Sequence, residues 1–586
     1  MQMRFILAYF LMLTILISCS ESFFDKTPVG IKSENIFCTE KGIDALLIGA
    51  YALVGGIADE YYIGWGASIT NWTFGSAASD DAYIGSDRGS ETDVFEIEEW
   101  QMNPNNSFAA EKWMWYLMGV TRINGVLRVL KATEGLIPAR AAEFEAEARF
   151  LRAWFNFEAW LVFKNIVIIT EETDYPELVP NTVDAMPAII GDLTFAMSNL
   201  PEIQAEVGRP TRYAAMALIA RAHLQTLDYT AAKPLLDNII TSGKYQLMPN
   251  FHDNYDMDTQ NNVESIFEIQ ASVDNSLYGT YNDIMGIGLN FPHGSDFGMC
   301  CGFHQPSQNL VNAFRVDADG LPMFDTFNDD DLKNDQGIPS ASTFVPFTDE
   351  VDPRLDWTVS RRGIPYFDWG VNRGRDWIRN QADGGPYLPA SKFFFEQKDR
   401  YILSVSSGWM TGVNANNFRA YRLGHILLWR AEVAIAENDL DYAEQLVNMI
   451  RARAGNQLVM GRVTTYELPP SAYPWNVEID RDQPAANYKV SEYPAGTFAS
   501  KGQAYALKAV QWELRLEFAT EGHRFFDLRR WGIITETLNA FAQGDLRIRS
   551  NMHGTVFTDK DKYAPIPQSQ IKLQPGVLVQ NPGYQQ

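Results

Sequence analysis

The sequence predicts one large, mainly α-helical body carrying an irregular, loop-rich region with a few short strands. Three observations lead to this. Apolar residues recur at helical spacing in a series of segments. A helix pair near residue 220 is echoed by a second pair near residue 435. The stretch between them, 243–412, is rich in Gly, Pro, Asp, Asn and aromatics without a sustained period. Hydrophobic residues form 46% of the 586, enough for a sizeable core.

The chain opens on an export signal. Arg4 is the only charge before Glu21, and Phe5 to Ile17 is an apolar run of thirteen residues with one Thr. A membrane span needs roughly 20 residues, so the run has the length of a signal-peptide core. Leu16-Ile17-Ser18-Cys19 resembles a bacterial lipoprotein processing site. That resemblance implies a signal peptide over 1–18, lipidation of Cys19 and a polar tether over 19–38. Each buried acyl methylene supplies about 0.8 kcal/mol of membrane affinity.

Helices follow in order. Thr39 is a good N-cap residue, and Ile43, Leu46, Leu47, Ala50 and Val54 line one face beyond it. After an irregular stretch from Gly55 to Asn106, the pattern resumes from Ser107 with Trp113, Leu117, Val120, Asn124, Leu127 and Leu130. The segment 139–163 carries the stripe Phe150, Trp154, Phe157, Leu161, with Glu145 and Arg149 in the favourable i,i+4 order. Helices over 182–200 and a pair across 211–242 come next. That pair places small residues at Ala220 and Ala232, and Ala431 and Ala443 repeat the interval of twelve. Leu236 and Val447 each stand four residues further on. This is tetratricopeptide logic, with small side chains where two antiparallel helices cross closely. In the middle, Glu264 to Gln270 reads as a strand. The body divides into an N-terminal helical part, 39–250, and a C-terminal part, 251–586, expected to pack as one unit.

The formal net charge of −25 excludes nucleic acid as a partner, because phosphate is repelled. It also excludes docking on anionic lipid through side chains. Four cysteines, Cys19, Cys38, Cys300 and Cys301, are too few for a disulfide scaffold. The adjacent Cys300 and Cys301 form either a vicinal disulfide or two packed thiols.

The C-terminal third carries the most specific motifs. They are Arg419-Ala-Tyr-Arg-Leu-Gly-His to Ala-Glu432, Asn448-Met-Ile-Arg-Ala-Arg-Ala-Gly455, and above all the run from Glu513 to Gly532 containing Thr-Glu-Gly-His-Arg-Phe-Phe-Asp. Pro565-Ile-Pro567 and Gln580-Asn-Pro-Gly-Tyr584 close the chain. Upstream stand Glu147 to Phe157, Leu310 to Phe314, Asp319-Gly320 and Asp352-Pro-Arg-Leu355. Together these resemble the SusD/RagB family over nearly the whole mature chain. Departures are Leu514, where the family often has arginine, and the single early acid Glu21. The resemblance implies a SusD-like fold with four tetratricopeptide-type helix pairs. It further implies a surface lipoprotein that binds oligosaccharide, catalyses nothing, and delivers ligand to a SusC-like TonB-dependent transporter in the outer membrane. A binding lid for a non-glycan nutrient such as peptide, a surface glycosidase and a purely structural or adhesive lipoprotein are the alternatives.

Glu513, Glu517, Glu521 and Arg524 share one helical stripe. With Arg515, Arg524, Arg529 and Arg530 interleaved, they read as an internal ion-pair network rather than acid/base machinery. No HExxH, GxSxG, Walker or GxGxxG pattern occurs. His293 and His304 flank the cysteine pair, but adjacent cysteines chelate zinc poorly. Asp325, Asp329, Asp330, Asp331, Asn334 and Asp335 read as a solvated acidic loop, with calcium the lesser reading and no cofactor otherwise expected.

Sugars stack their apolar ring faces on aromatics while polar side chains address the hydroxyls. Two loops hold both kinds. One supplies Trp65, Trp72, Asp80, Asp81, Tyr83 and Trp100. The other supplies Tyr366, Trp369, Arg375 and Trp377. Trp154, Trp160, Trp429, Trp512 and Trp531 lie in helical segments and are assigned to the core.

Overall fold

Thr39 accepts a hydrogen bond from the Gly42 amide at 3.0 Å and starts the first helix of the body, α1 (Glu40–Tyr51), which buries Ile43, Leu47 and Ala50. The computed structural model describes residues 34–58, 63–271, 289–290, 292–294, 301–389, 396–402, 415–466 and 477–585. The signal segment, Cys19, most of the tether and Cys300 lie outside them. Ten further helices build the frame: α2 (Ser107–Ala132), α3 (Pro138–Phe163), α4 (Met186–Asn199), α5 (Arg212–Gln225), α6 (Tyr229–Thr241), α7 (Leu423–Ala436), α8 (Leu440–Ala454), α9 (Gln503–Phe518), α10 (Arg524–Arg530) and α11 (Ile534–Asp545). Among the described residues, no helix is long and apolar enough to cross a membrane.

The repeated pattern is a repeated structure. α5–α6 and α7–α8 are hairpins joined by three residues, Thr226-Leu227-Asp228 and Glu437-Asn438-Asp439. In both links the middle residue is left-handed, Leu227 at φ 59° and Asn438 at φ 62°, and the aspartate caps the next helix. Ala220, Ala232, Ala431, Ala443, Leu236 and Val447 are all fully buried. The two hairpins meet side by side. The Tyr229 hydroxyl donates to Glu432 at 2.9 Å, and Lys233 pairs with Glu437 at 2.6 Å.

α3 is the centre of the core. From Phe150 to Phe163 every residue is buried, so the expected stripe widens to the whole circumference. A two-stranded antiparallel sheet of β2 (Ser265–Ile269) and β4 (Phe418–Arg422) lies across it, with Phe267 edge-on to Phe150 at 5.0 Å and to Trp154 at 5.3 Å. A second pairing joins β1 (Ala82–Gly85) to β3 (Phe303–Pro306). One hydrophobic core takes residues from both parts of the chain, Ile43 through Leu578. Trp154, Trp160 and Trp429 belong to it, whereas Trp531 sits half-buried at its edge and Trp512 half-buried against a separate cluster around Leu310, Phe314 and Leu516, their indoles donating to Glu432 and Ala313.

The carboxylates of the 513–521 stripe are neutralised inside the fold, but not by the interleaved arginines. Glu513 meets Arg354 at 2.6 Å and Arg451 at 3.0 Å. Glu517 meets Arg422 at 2.5 Å and also Arg453 and Arg354. Burial alone raises a carboxyl pKa; here Arg453, Arg422 and Arg354 outweigh it and hold Glu517 at about 2. The interleaved arginines turn elsewhere. Arg515 and Arg524 reach Asp80 and Asp81, Arg530 reaches Glu432, and Arg529 donates to the Leu161 and Lys562 carbonyls.

Candidate ligand-binding surface

Eight of the ten residues expected to contact ligand are inside the protein. Every residue from 64 to 86 is buried. Trp65 keeps 9% of its surface and Trp72 none; Trp72 packs on Phe303 and His304 with ring centroids 6.1 and 5.8 Å away. Tyr83 donates to Asp545 at 2.5 Å, accepts from the Gln308 amide at 3.0 Å, and carries the Arg549 guanidinium 3.5 Å above its ring. The Trp100 indole donates to the Ala78 carbonyl, and its ring meets Phe557 edge-on. Asp80 and Asp81 are consumed by Arg515 and Arg524, which hold Asp80 at about 2 against the upward push of burial. These side chains have no face to offer a sugar. The loop is sealed because Gly75 and Gly522 touch. A Cβ on Gly75 would lie 1.9 Å from the Gly522 carbonyl oxygen, and one on Gly522 would lie 2.0 Å from that of Thr70.

In the second loop, Tyr366 and Trp377 are also buried. With Ile378, Leu388 and Ala415 they make a small core of their own, and Met257, Phe367 and Trp369 pack against it. Trp369 is half-buried and Arg375 is exposed. These two are the expected residues that the fold leaves at the surface.

The loop is built to hold them still. The Tyr366 amide donates to Gly370 O at 2.7 Å, the Trp369 amide to Tyr366 O at 3.0 Å, and the Gly374 amide to Asn372 Oδ1 at 2.6 Å. Phe367 stands at φ 48°, a strained value for a bulky side chain. Asp368 accepts from the Gln397 and Lys398 amides, tying in the 396–402 turn, and Lys398 reaches Asp258 at 3.7 Å. Three loops thus meet at Asp368 and Lys398. Underneath, His252 stacks on Trp357 at 4.4 Å, and burial lowers its pKa to about 4.

Asp335 also departs from expectation: the sequence places it in a solvated acidic loop, yet it is 2% exposed and lies under Gly374, whose Cβ position is 2.1 Å from Asp335 Oδ2. Its neighbour Arg362, at 3.7 Å, also donates to the Ser340 and Ser342 carbonyls. Burial pushes the carboxyl up to about 6 despite Arg362. A raised pKa means the contribution to stability is complete below the ordinary value of 3.8 and is lost as pH rises through 6. Asp335→Asn is therefore expected to raise the melting temperature at pH 8, by the equivalent of about 1–3 kcal/mol, and to be neutral at pH 4. Thermal melts of both proteins across pH 4–8 check this.

The rest of the acidic stretch disperses. Asp325 pairs with Lys508 and Asp331 with Arg547. Among the described residues, no three His, Cys, Asp or Glu side chains form a metal-holding group. Cys301 is disulfide-bonded, which removes the packed-thiol reading for that residue. His304 is fully buried, and burial lowers its pKa to about 3.

The family comparison decides the identity. The family model described as "SusD family" matches residues 263–584, more than half the chain. The chain belongs to the SusD family. Residues 25–224 match a second family model, described as "Starch-binding associating with outer membrane". No curated protein matches the chain. Solved structures share the SusD fold. A SusD-like protein from Bacteroides fragilis superposes with a TM-score of 0.68 at 19% identity, covering 95% of this chain and 100% of that one. Surface glycan-binding protein A from Bacteroides fluxus gives 0.66 at 22%, covering 93% and 100%. Surface glycan-binding protein A from Bacteroides thetaiotaomicron, solved in complex with laminarihexaose, gives 0.65 at 20%, covering 92% and 99%. In this SusD-family chain the diagnostic 513–532 run is a clamp. Glu517 and Glu521 anchor Arg422, Gly522 admits the Thr70 backbone, and Arg524 fastens Asp80.

Proposed function

We propose that this protein binds glycan without turning it over and delivers it to a TonB-dependent transporter of the outer membrane, to which the lipidated Cys19 tethers it. Membership of the SusD family, together with a structural neighbour solved with laminarihexaose, is the observation that carries the reading. Trp369 and Arg375, on a braced loop, combine an aromatic ring with a polar side chain, the two residue types that sugar capture requires, and neither is fully buried. Asp335, a carboxyl at this loop with a raised pKa, is covered by Gly374 and does not reach a ligand. Tethering beside a transporter raises the local concentration, so modest affinity suffices for capture.

Affinity electrophoresis and calorimetry against a glycan panel test the proposal. Trp369→Ala is expected to weaken binding about tenfold or more in a protein that stays folded, its melting temperature lowered by the lost packing. Unaltered affinity in that variant moves the site elsewhere, and hydrolysis of a bound glycan ends the reading.

A further inference from the structure

The segment Arg373-Gly-Arg-Asp-Trp-Ile-Arg379 holds three arginines against one aspartate, in a chain whose formal charge is −25. In the interior, Arg354, Arg422, Arg530 and Arg549 are each met by carboxylates. Arg375 and Arg379 differ. Both are exposed, and among the described residues neither has a carboxylate within ion-pair distance; Arg379 reaches only the Ser86 hydroxyl, at 3.3 Å.

Their backbone is fixed. The Trp377 amide donates to Gly374 O at 2.9 Å, that of Ile378 to Arg375 O at 3.1 Å, and that of Asp376 to Ser340 Oγ at 3.0 Å. A Cβ on Gly294 would lie 2.9 Å from Asp376 O, which brings the 292–294 segment against the same turn. Burial and then Arg379 lower the pKa of His293 there, which disfavours its charged form and places its ring near Arg379.

We propose that Arg375 and Arg379 form a subsite for an anionic substituent, so that the ligand class is a glycan carrying carboxylate or sulfate groups. This deepens the glycan-binding reading and rests on it. A guanidinium presents parallel N–H donors that match a carboxylate or sulfate, whereas a neutral sugar gains little from two unpaired cations. The acidic body repels polyanions at a distance. At physiological salt, charges are screened beyond about 8 Å, so the attraction is short-ranged and confined to this loop. Trp369 would hold the sugar ring while the arginines select the charged unit beside it.

The probes are oligogalacturonate for carboxylate, chondroitin sulfate oligosaccharide for sulfate, and laminarin and maltooligosaccharide as neutral glycans. Calorimetry is expected to show at least one acidic probe bound about tenfold tighter than either neutral one. That affinity should fall as salt is raised. Arg375→Gln with Arg379→Gln should weaken the acidic probe about tenfold, leave the neutral probes as they were and preserve the melting temperature. Arg122→Gln, an exposed arginine on α2, is the control for diffuse attraction. Equal weakening by that control overturns the subsite. Neutral probes bound best, with the double variant indifferent, overturn the anionic class and leave glycan binding standing. Binding of none of the four probes, acidic or neutral, overturns both readings.

Discussion

Glu517→Gln is expected to destabilise the protein by about 3–5 kcal/mol, because it strips a carboxylate from three buried guanidinium groups at once. Arg422, Arg453 and Arg354 are fully or almost fully covered and have come from three separate parts of the chain to meet it. Glutamine keeps the shape and one acceptor oxygen but not the charge, so the loss reports uncompensated buried cations rather than a cavity. The pH dependence separates this from a packing defect. The native carboxyl is depressed to about 2 from an ordinary 4.5, so its stabilisation is present above 4.5 and is lost as pH falls through 2. Denaturant titrations at pH 7 and pH 3 should therefore show a large gap between variant and wild type that narrows in acid. A gap of the same size at both values would refute the electrostatic account.

Gly522→Ala carries the second large effect, about 3–5 kcal/mol, from two costs that add. The residue sits at φ +79°, which burdens any side chain by about 1–2 kcal/mol. The added methyl would also lie 2.0 Å from the Thr70 carbonyl oxygen, forcing the 64–86 loop off the body. Gly532 separates the two. Its φ is +74°, but nothing lies within 4 Å of its Cβ position, so Gly532→Ala should cost only the backbone part. Thermal unfolding gives the difference. Limited proteolysis should show new cleavage within 64–86 for Gly522→Ala alone, and identical behaviour of the two variants would dismiss the clamp.

The helical frame was legible because its signals are local. Thr39, Thr211, Asp228 and Asp439 cap helices through bonds to amides three residues ahead. The spacing of Ala220, Ala232, Ala431 and Ala443 marked both hairpins. The 182–200 helix begins late, at Met186, since Pro187 suits only the first turn. The ligand surface was far less legible. Trp72, Tyr83 and Trp100 stand among Gly, Ser and Asp just as Trp369 does, yet they are core residues and Trp369 is not.

By itself, the sequence determined where the long helices of the frame lie, which two hairpins repeat and, through the 513–532 motif, the family to which the chain belongs. All of these follow from spacing within a few turns or from a contiguous run of residues. Only the tertiary structure decided which aromatics meet water and which arginine neutralises which carboxylate. Tyr83 finds Asp545, and Arg515 finds Asp81, across more than 400 residues of chain. Burial and charge pairing belong to surfaces brought together on folding, and periodicity along the chain carries no record of them.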